Sequence, residues 1–99
     1  MPYFRVILSG SGISYPFVDG PDPVIGFFTT RDVKAPDLER AGHVAKELVL
    51  SEWRAGGAYA ADNRGAIPSL AIENCFPIGL LTGILGRKPS GYSFYSHDD

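Results

Sequence analysis

Apolar and polar positions alternate with a period of two from the start of the chain. Phe4, Val6 and Leu8 interleave with Tyr3, Arg5 and Ile7, the pattern of a strand with one buried face. The alternation meets Ser9-Gly10-Ser11-Gly12, where a turn is expected. Ile13 to Val18 favours β structure but contains Pro16, which predicts a sheet edge or a loop arm. Asp19-Gly20-Pro21-Asp22-Pro23 is dense turn chemistry. Val24 to Val33 is β-branched or aromatic almost throughout and predicts a second strand. The first 33 residues therefore read as a long hairpin.

The period then changes. Leu38, Ala41, Val44, Ala45, Leu48 and Val49 recur at spacings of three and four, predicting an amphipathic helix. Pro36 suits its first turn, and Asp37 and Glu39 suit its positive end. Gly56-Gly57 predicts a stop near Trp53. Gly42 inside the helix costs about 1 kcal/mol relative to alanine unless a close approach requires it. Residues 55–68 read as a loop, Ser69 to Phe76 as a third strand, and Pro77 to Leu85 as a short apolar helix. A turn at Arg87 to Gly91 precedes a last strand, Tyr92 to Tyr95. The order is β-β-α-β-(short α)-β in a single domain, residues 1–99. The expected fold is α+β: about four mostly antiparallel strands with one long helix on a face. A ferredoxin-like topology needs a strand–helix–strand crossover, which Val24–Val33, the helix and Ser69–Phe76 can supply.

Composition narrows the classes. A chain of 99 residues, 44% hydrophobic, supports one core. Nine Lys and Arg against eleven Asp and Glu leave a net charge of −2, without the basic footprint of a nucleic-acid binder. The apolar runs are too short for a membrane span. One cysteine excludes an internal disulfide framework and a multi-cysteine metal site, so neither metal nor other cofactor is expected. Arg5 interrupts the apolar run of Met1 to Leu8, which does not read as a secretory leader. With a lone thiol, the expected compartment is a reducing cytoplasm.

Few residues gather into candidate chemistry. Gly10-Ser11-Gly12 after a strand lacks the third glycine and the following helix of a dinucleotide loop, so a hairpin turn is expected. Cys75 sits mid-strand among apolar residues, where cysteine packs as a small hydrophobe; His43 and His97 are the only imidazoles. Asp32, Asp37 and Glu39, interleaved with Arg31 and Lys34, read as a solvated rim. Thr29, Thr30 and Arg31 offer two hydroxyls and a guanidinium at a strand end, the best candidate for an anion or small ligand. Arg87-Lys88 with Tyr92, Phe94 and Tyr95 is the one basic-and-aromatic grouping, and two cations are few for nucleic acid.

Gly26-Phe27-Phe28-Thr29-Thr30-Arg31-Asp32-Val33-Lys34-Ala35, running into Glu39-Arg40-Ala41 and Ala45, resembles a group of small uncharacterised bacterial α+β proteins. In that group a Gly-aromatic-aromatic-Thr-Thr-Arg strand leads into an alanine-rich helix, and a Gly-aromatic strand closes the chain, here Gly91 to Tyr95. The resemblance covers about half the chain and implies a compact α+β domain without a known activity. The hairpin feeding an alanine-rich helix is also similar to antitoxin domains of the HicB type, although their Asp-Leu-Pro-Gly-Cys strand motif is missing.

One helix covers one face of a sheet. The other face is expected to carry Tyr3, Ile7, one of Phe27 and Phe28, and Tyr95 or its strand partners, more apolar than a solvated face requires. The expected function is a non-catalytic, self-associating interaction module. Its expected partner is a second copy in a two-fold homodimer, with Tyr3 and Ile7 near the interface centre, or an unidentified protein. The alternative is a small enzyme or small-molecule binder with a pocket near Thr29, Thr30 and Arg31.

Overall fold

The computed structural model describes residues 2–16, 23–79 and 91–96. It contains β1 (Tyr3–Tyr15), β2 (Val24–Lys34), α1 (Leu38–Trp53), β3 (Ser69–Ile78) and β4 (Tyr92–Ser96). The strands form one sheet in the order β3-β1-β2-β4, and every neighbouring pair is antiparallel. Helix α1 packs across β3, β1 and β2 on one face. The fold is α+β. Because β2 and β3 are both antiparallel to β1, they run parallel to each other with β1 between them, and α1 connects them as a split β-α-β unit. The short helix expected over Pro77 to Leu85 is not formed at its start, where Pro77 and Ile78 end β3; residues 80–85 lie outside those described, as do the turns expected at 19–22 and 87–90.

The first strand departs from expectation. β1 does not turn at Ser9-Gly10-Ser11-Gly12 but runs through it, paired with β2 as far as Ser11–Gly26 and again at Tyr15–Val24. Two glycines make this possible in different ways. At Gly10 the Phe27 ring lies directly on the backbone, so an added Cβ would approach Phe27 Cε2 to 2.6 Å. At Gly12 the φ angle is +89°, open to glycine at no steric cost. Gly12 to Ser14 form a bulge opposite the single residue Ile25, which bends the strand and turns Ile13 into the core. The loop after α1 satisfies this bulge: Arg64 N–H donates to the Ser14 carbonyl (2.8 Å), Ala66 N–H to the Gly12 carbonyl (3.0 Å), and Ser14 N–H to Asn63 Oδ1 (3.0 Å).

Helix α1 begins at Asp37, whose carboxylate accepts from Arg40 N–H at 2.8 Å. Pro36 precedes this cap instead of occupying the first turn. The buried stripe is Ala41, Ala45, Val49 and Trp53, strictly four apart, with Gly42 beside it. Leu38 and Leu48, expected on that stripe, are about half exposed, at 50% and 47%. Small residues bring the helix close to the sheet: at Gly42 an added Cβ would meet Ile72 Cδ1 at 2.5 Å.

The register assigns each strand residue to a face. Phe4, Val6 and Leu8 point at α1 with their partners Val33, Arg31 and Thr29 on β2. Cys75, Ile72, Tyr92 and Phe94 share that side by register. The opposite face carries Tyr3, Arg5, Ile7 and Ser9 from β1, facing Lys34, Asp32, Thr30 and Phe28 on β2. β3 adds Ile78 and Phe76 to it, and β4 adds Ser93 and Tyr95. Phe28 is thus the member of the adjacent aromatic pair that faces away from the helix, 46% exposed, while Phe27 is fully buried. Among the described residues no element packs on this open face.

The contact at Gly10 generates a stability prediction. Gly10→Ala is expected to lower unfolding stability by about 1–3 kcal/mol, because the Phe27 ring must leave its place. Gly91→Ala, where an added Cβ meets nothing within 4 Å, is the control expected to change little. Denaturant unfolding of both variants checks this; equal stabilities would contradict it.

Candidate functional site

Beneath α1 the core is built from aromatic rings. Phe27 stacks on Trp53 with centroids 5.4 Å apart and planes within 4° of parallel. Trp53 stacks on Tyr59 on its other side at 4.9 Å, which carries the stack into the loop after the helix. Tyr92 and Phe94 from β4 meet this stack edge-on, and Tyr15 closes the end near the bulge. Ala41, Ala45 and Val49 were legible from their spacing and Trp53 only as the end of the helix, not as a buried member of the stripe; the loop partner Tyr59 was not legible, since residues 55–68 have no periodicity.

One polar cluster enters this aromatic layer. Arg31, almost fully buried, donates from Nη2 to Glu52 Oε1 at 2.7 Å and lies over the Tyr92 ring at 5.2 Å. The Tyr92 hydroxyl donates to the same Glu52 oxygen at 2.7 Å. Thr29 donates its hydroxyl to the Gly91 carbonyl at 2.8 Å, tying down the entry to β4. Burial, reinforced by the hydrogen bond to Glu52, pushes the Tyr92 phenol well above its ordinary value of 10.0. Burial also raises Tyr59.

The expected site residues fall on two sides of the sheet. Thr29 and Arg31 face the helix, whereas Thr30 faces away. The three do not converge. Arg31 is neutralised by Glu52, and the depression beside it, about 300 Å³ and lined by Arg31, Leu48, Ser51 and Glu52, is shallow. Glu52 and Tyr92 are the partners that sequence reasoning missed: the acid is one of several on α1, and nothing local marks it as facing a strand 21 residues away.

The other described candidates lie apart from this cluster. Asp37 caps α1, and Glu39 lies exposed in its first turn. His43 is exposed on α1, lining a second shallow depression with Asp37, Glu39 and Arg40, while His97, Arg87 and Lys88 lie outside the described residues. Cys75 is partly covered, its sulfur 3.9 Å from the Leu38 carbonyl, and burial pushes its thiol up, away from nucleophilic character. Among the described residues no group of three or more His, Cys, Asp or Glu could hold a metal ion, and no helix is long and apolar enough to cross a membrane.

The open face carries its own organised chemistry. Arg5 forms a two-pronged pair with Asp32, Nε to Oδ1 at 2.8 Å and Nη2 to Oδ2 at 2.9 Å. Asp32 is 1% exposed in its side chain under the guanidinium, and the pairing raises the Arg5 pKa. Lys34 stands 5.9 Å over the Tyr3 ring. At the far end Tyr95 lies across Gly26, where an added Cβ would meet the Gly10 carbonyl at 2.8 Å, and packs against Phe28 at 5.8 Å. Tyr3 and Ile7, the expected interface pair, sit in this face, partly exposed.

Comparison with models of known protein families, with curated proteins and with solved structures gave no match.

Glu52→Gln is expected to cost about 2–3 kcal/mol, because it leaves the buried Arg31 charge without its counter-ion. Arg31→Met/Glu52→Leu is expected to recover most of that loss. Chemical denaturation of the three proteins decides it, and a neutral Glu52→Gln would refute the role given to the pair. A second prediction concerns alkaline pH. The folded Tyr92 pKa lies above the unfolded one, so its contribution is complete below pH 10 and lost as pH rises beyond it. Stability is expected to fall above pH 10 more steeply in the wild type than in Tyr92→Phe; parallel pH profiles would contradict this.

Proposed function

We propose that this chain is a non-catalytic interaction module whose working surface is the open sheet face, and that it associates with itself. The observation that carries this reading is the composition of that face. A sheet face meant for water alternates in polar residues, but here Tyr3, Ile7, Phe28, Phe76, Ile78 and Tyr95 share one side of a sheet whose long helix lies on the other. Tyr3, Phe76 and Ile78 gather at one end of the face and Phe28 and Tyr95 at the other, with Ile7 between Thr30 and Asn74, and apolar groups grouped in this way on an open face support an interaction site. The polar groups among them support a protein partner over an anion or nucleic acid. Both prongs of Arg5 are taken by Asp32, and Lys34 is held over Tyr3, leaving no convergent free cations on this face among the described residues to meet phosphate.

An enzymatic or small-ligand reading around Thr29, Thr30 and Arg31 finds less support, since Thr30 is on the other face and Arg31 has its counter-ion within the core. The partly covered, deactivated Cys75 thiol agrees with a structural role in a reducing, cytoplasmic setting. The split β-α-β unit supports grouping the fold with ferredoxin-like domains. The Gly26–Ala35 segment supports kinship with the small bacterial α+β proteins it resembles.

Light scattering after gel filtration tests the reading. A dimer is expected at micromolar concentration, and Ile7→Glu, which sets a charge in the middle of the face, is expected to give a folded monomer. A strict monomer in the wild type, or a dimer untouched by Ile7→Glu, would overturn the proposal.

A further inference from the structure

We infer that the outer edge of β3 is closed to strand addition, so that a second copy of this chain cannot extend the sheet through it. Three features set along the edge close it: the bulge at Glu73, the Asn74 side chain and Pro77. The inference concerns the edge of the sheet, not its open face, and goes beyond the reading above. Among the described residues β3 is an end strand, 10 residues long. Ala71, Ile72, Glu73, Asn74 and Pro77 are exposed along it. An exposed edge of this length ordinarily presents a row of backbone donors and acceptors to any other strand.

The alternation of the ladder decides which backbone groups of β3 point outward. Ala35 N–H donates to the Pro2 carbonyl at 3.1 Å, so Pro2 turns its backbone toward β2. Alternation along β1 then turns Phe4 and Val6 toward β2, and Tyr3, Arg5 and Ile7 toward β3. The hydrogen-bonded pairs between β1 and β3 are therefore Tyr3–Ile78, Arg5–Phe76 and Ile7–Asn74. Pro77 and Cys75, opposite Phe4 and Val6, turn their backbone groups to the outer edge. An outward-turned position is also where a strand tolerates proline.

Neither position offers a donor to a new strand. Pro77 has no N–H, and the Cys75 N–H already donates to its neighbour's side chain, Asn74 Oδ1, at 2.9 Å. Next along the edge, Asn74 lies opposite Ile7 and Ile72 opposite Leu8, which leaves Glu73 as an extra residue between them. The bulge breaks the even spacing that a straight partner strand requires. It also holds a carboxylate at the exposed edge, where a two-fold pairing centred on it would bring two like charges together. Beyond the bulge the regular edge is only Ser69 to Ile72, shorter than the common strand length of about 5–6 residues.

Restoring the donors tests the closure. Asn74→Val releases the Cys75 N–H and Pro77→Val adds one, and both positions are exposed, so the core is left intact. The double variant is expected to self-associate at least about tenfold more strongly than the wild type, because each new donor is used by both copies of a two-fold pair. Light scattering over a concentration series reads this gain against the wild type's own state, monomer or dimer, so the result is separate from the fate of the open face. Amide hydrogen exchange locates the contact: in the double variant the amides of residues 75 and 77 are expected to become protected as concentration rises. Far-ultraviolet circular dichroism reports folding, and if the double variant is unfolded, Pro77→Val alone carries the test, with a smaller gain and protection at the same two amides. A folded variant that associates no more strongly than the wild type would overturn the inference. So would a gain in association that leaves residues 75 and 77 unprotected.

Discussion

The stack of Gly10 backbone, Phe27, Trp53 and Tyr59 is the contact on which the rest of the molecule depends. It ties together four parts of the chain that share no local sequence: β1, β2, the end of α1 and the loop beyond it. Each layer needs the one beneath. The ring of Phe27 can lie flat on β1 because residue 10 has no side chain, and its buried face then offers Trp53 a parallel surface at the last turn of the helix. Aromatic burial of this size dominates the energetics of a small core. Tyr59, packed on Trp53, anchors the loop whose residues 63–66 satisfy the bulge of β1.

The same constraint decides where charge can enter. With aromatic rings filling one end of the helix side, Arg31 is tolerated there only because Glu52 and the Tyr92 ring receive it. Its neighbours Thr30 and Asp32, one residue either side, fall on the opposite face by the pleat alone. A tripeptide that reads as one site in sequence is divided by the sheet into two surfaces with different chemistry. The helix side is closed and internally satisfied. The open side pairs its own charges and leaves its aromatic and aliphatic groups partly exposed.

Legibility followed periodicity. The class, the four described strands and the extent of α1 could be read because period-two and four-residue patterns are local properties. The assignment of Tyr3 and Ile7 to the side away from the helix came from the same alternation. What could not be read was set by tertiary contact. Ser9-Gly10-Ser11-Gly12 has turn chemistry, yet one glycine receives a ring and the other bends a continuous strand. Leu38 and Leu48 fit a helical stripe, but the closer approach available to Ala41, Gly42 and Ala45 rotates α1 away from them. Glu52 and Tyr59 carry no local signal, because their partners are brought to them by the fold.

The proposal divides the molecule into a sealed side that holds the fold and an open side offered to a partner. A dilution series of amide spectra on uniformly ¹⁵N-labelled protein, from millimolar to low micromolar concentration, tests that division most directly. The account predicts concentration-dependent shifts at Tyr3, Arg5, Ile7, Ser9, Phe28 and Thr30, with Ala41, Ala45, Val49 and Trp53 unmoved. Spectra unchanged by dilution, or shifts confined to the outer surface of α1, would contradict it.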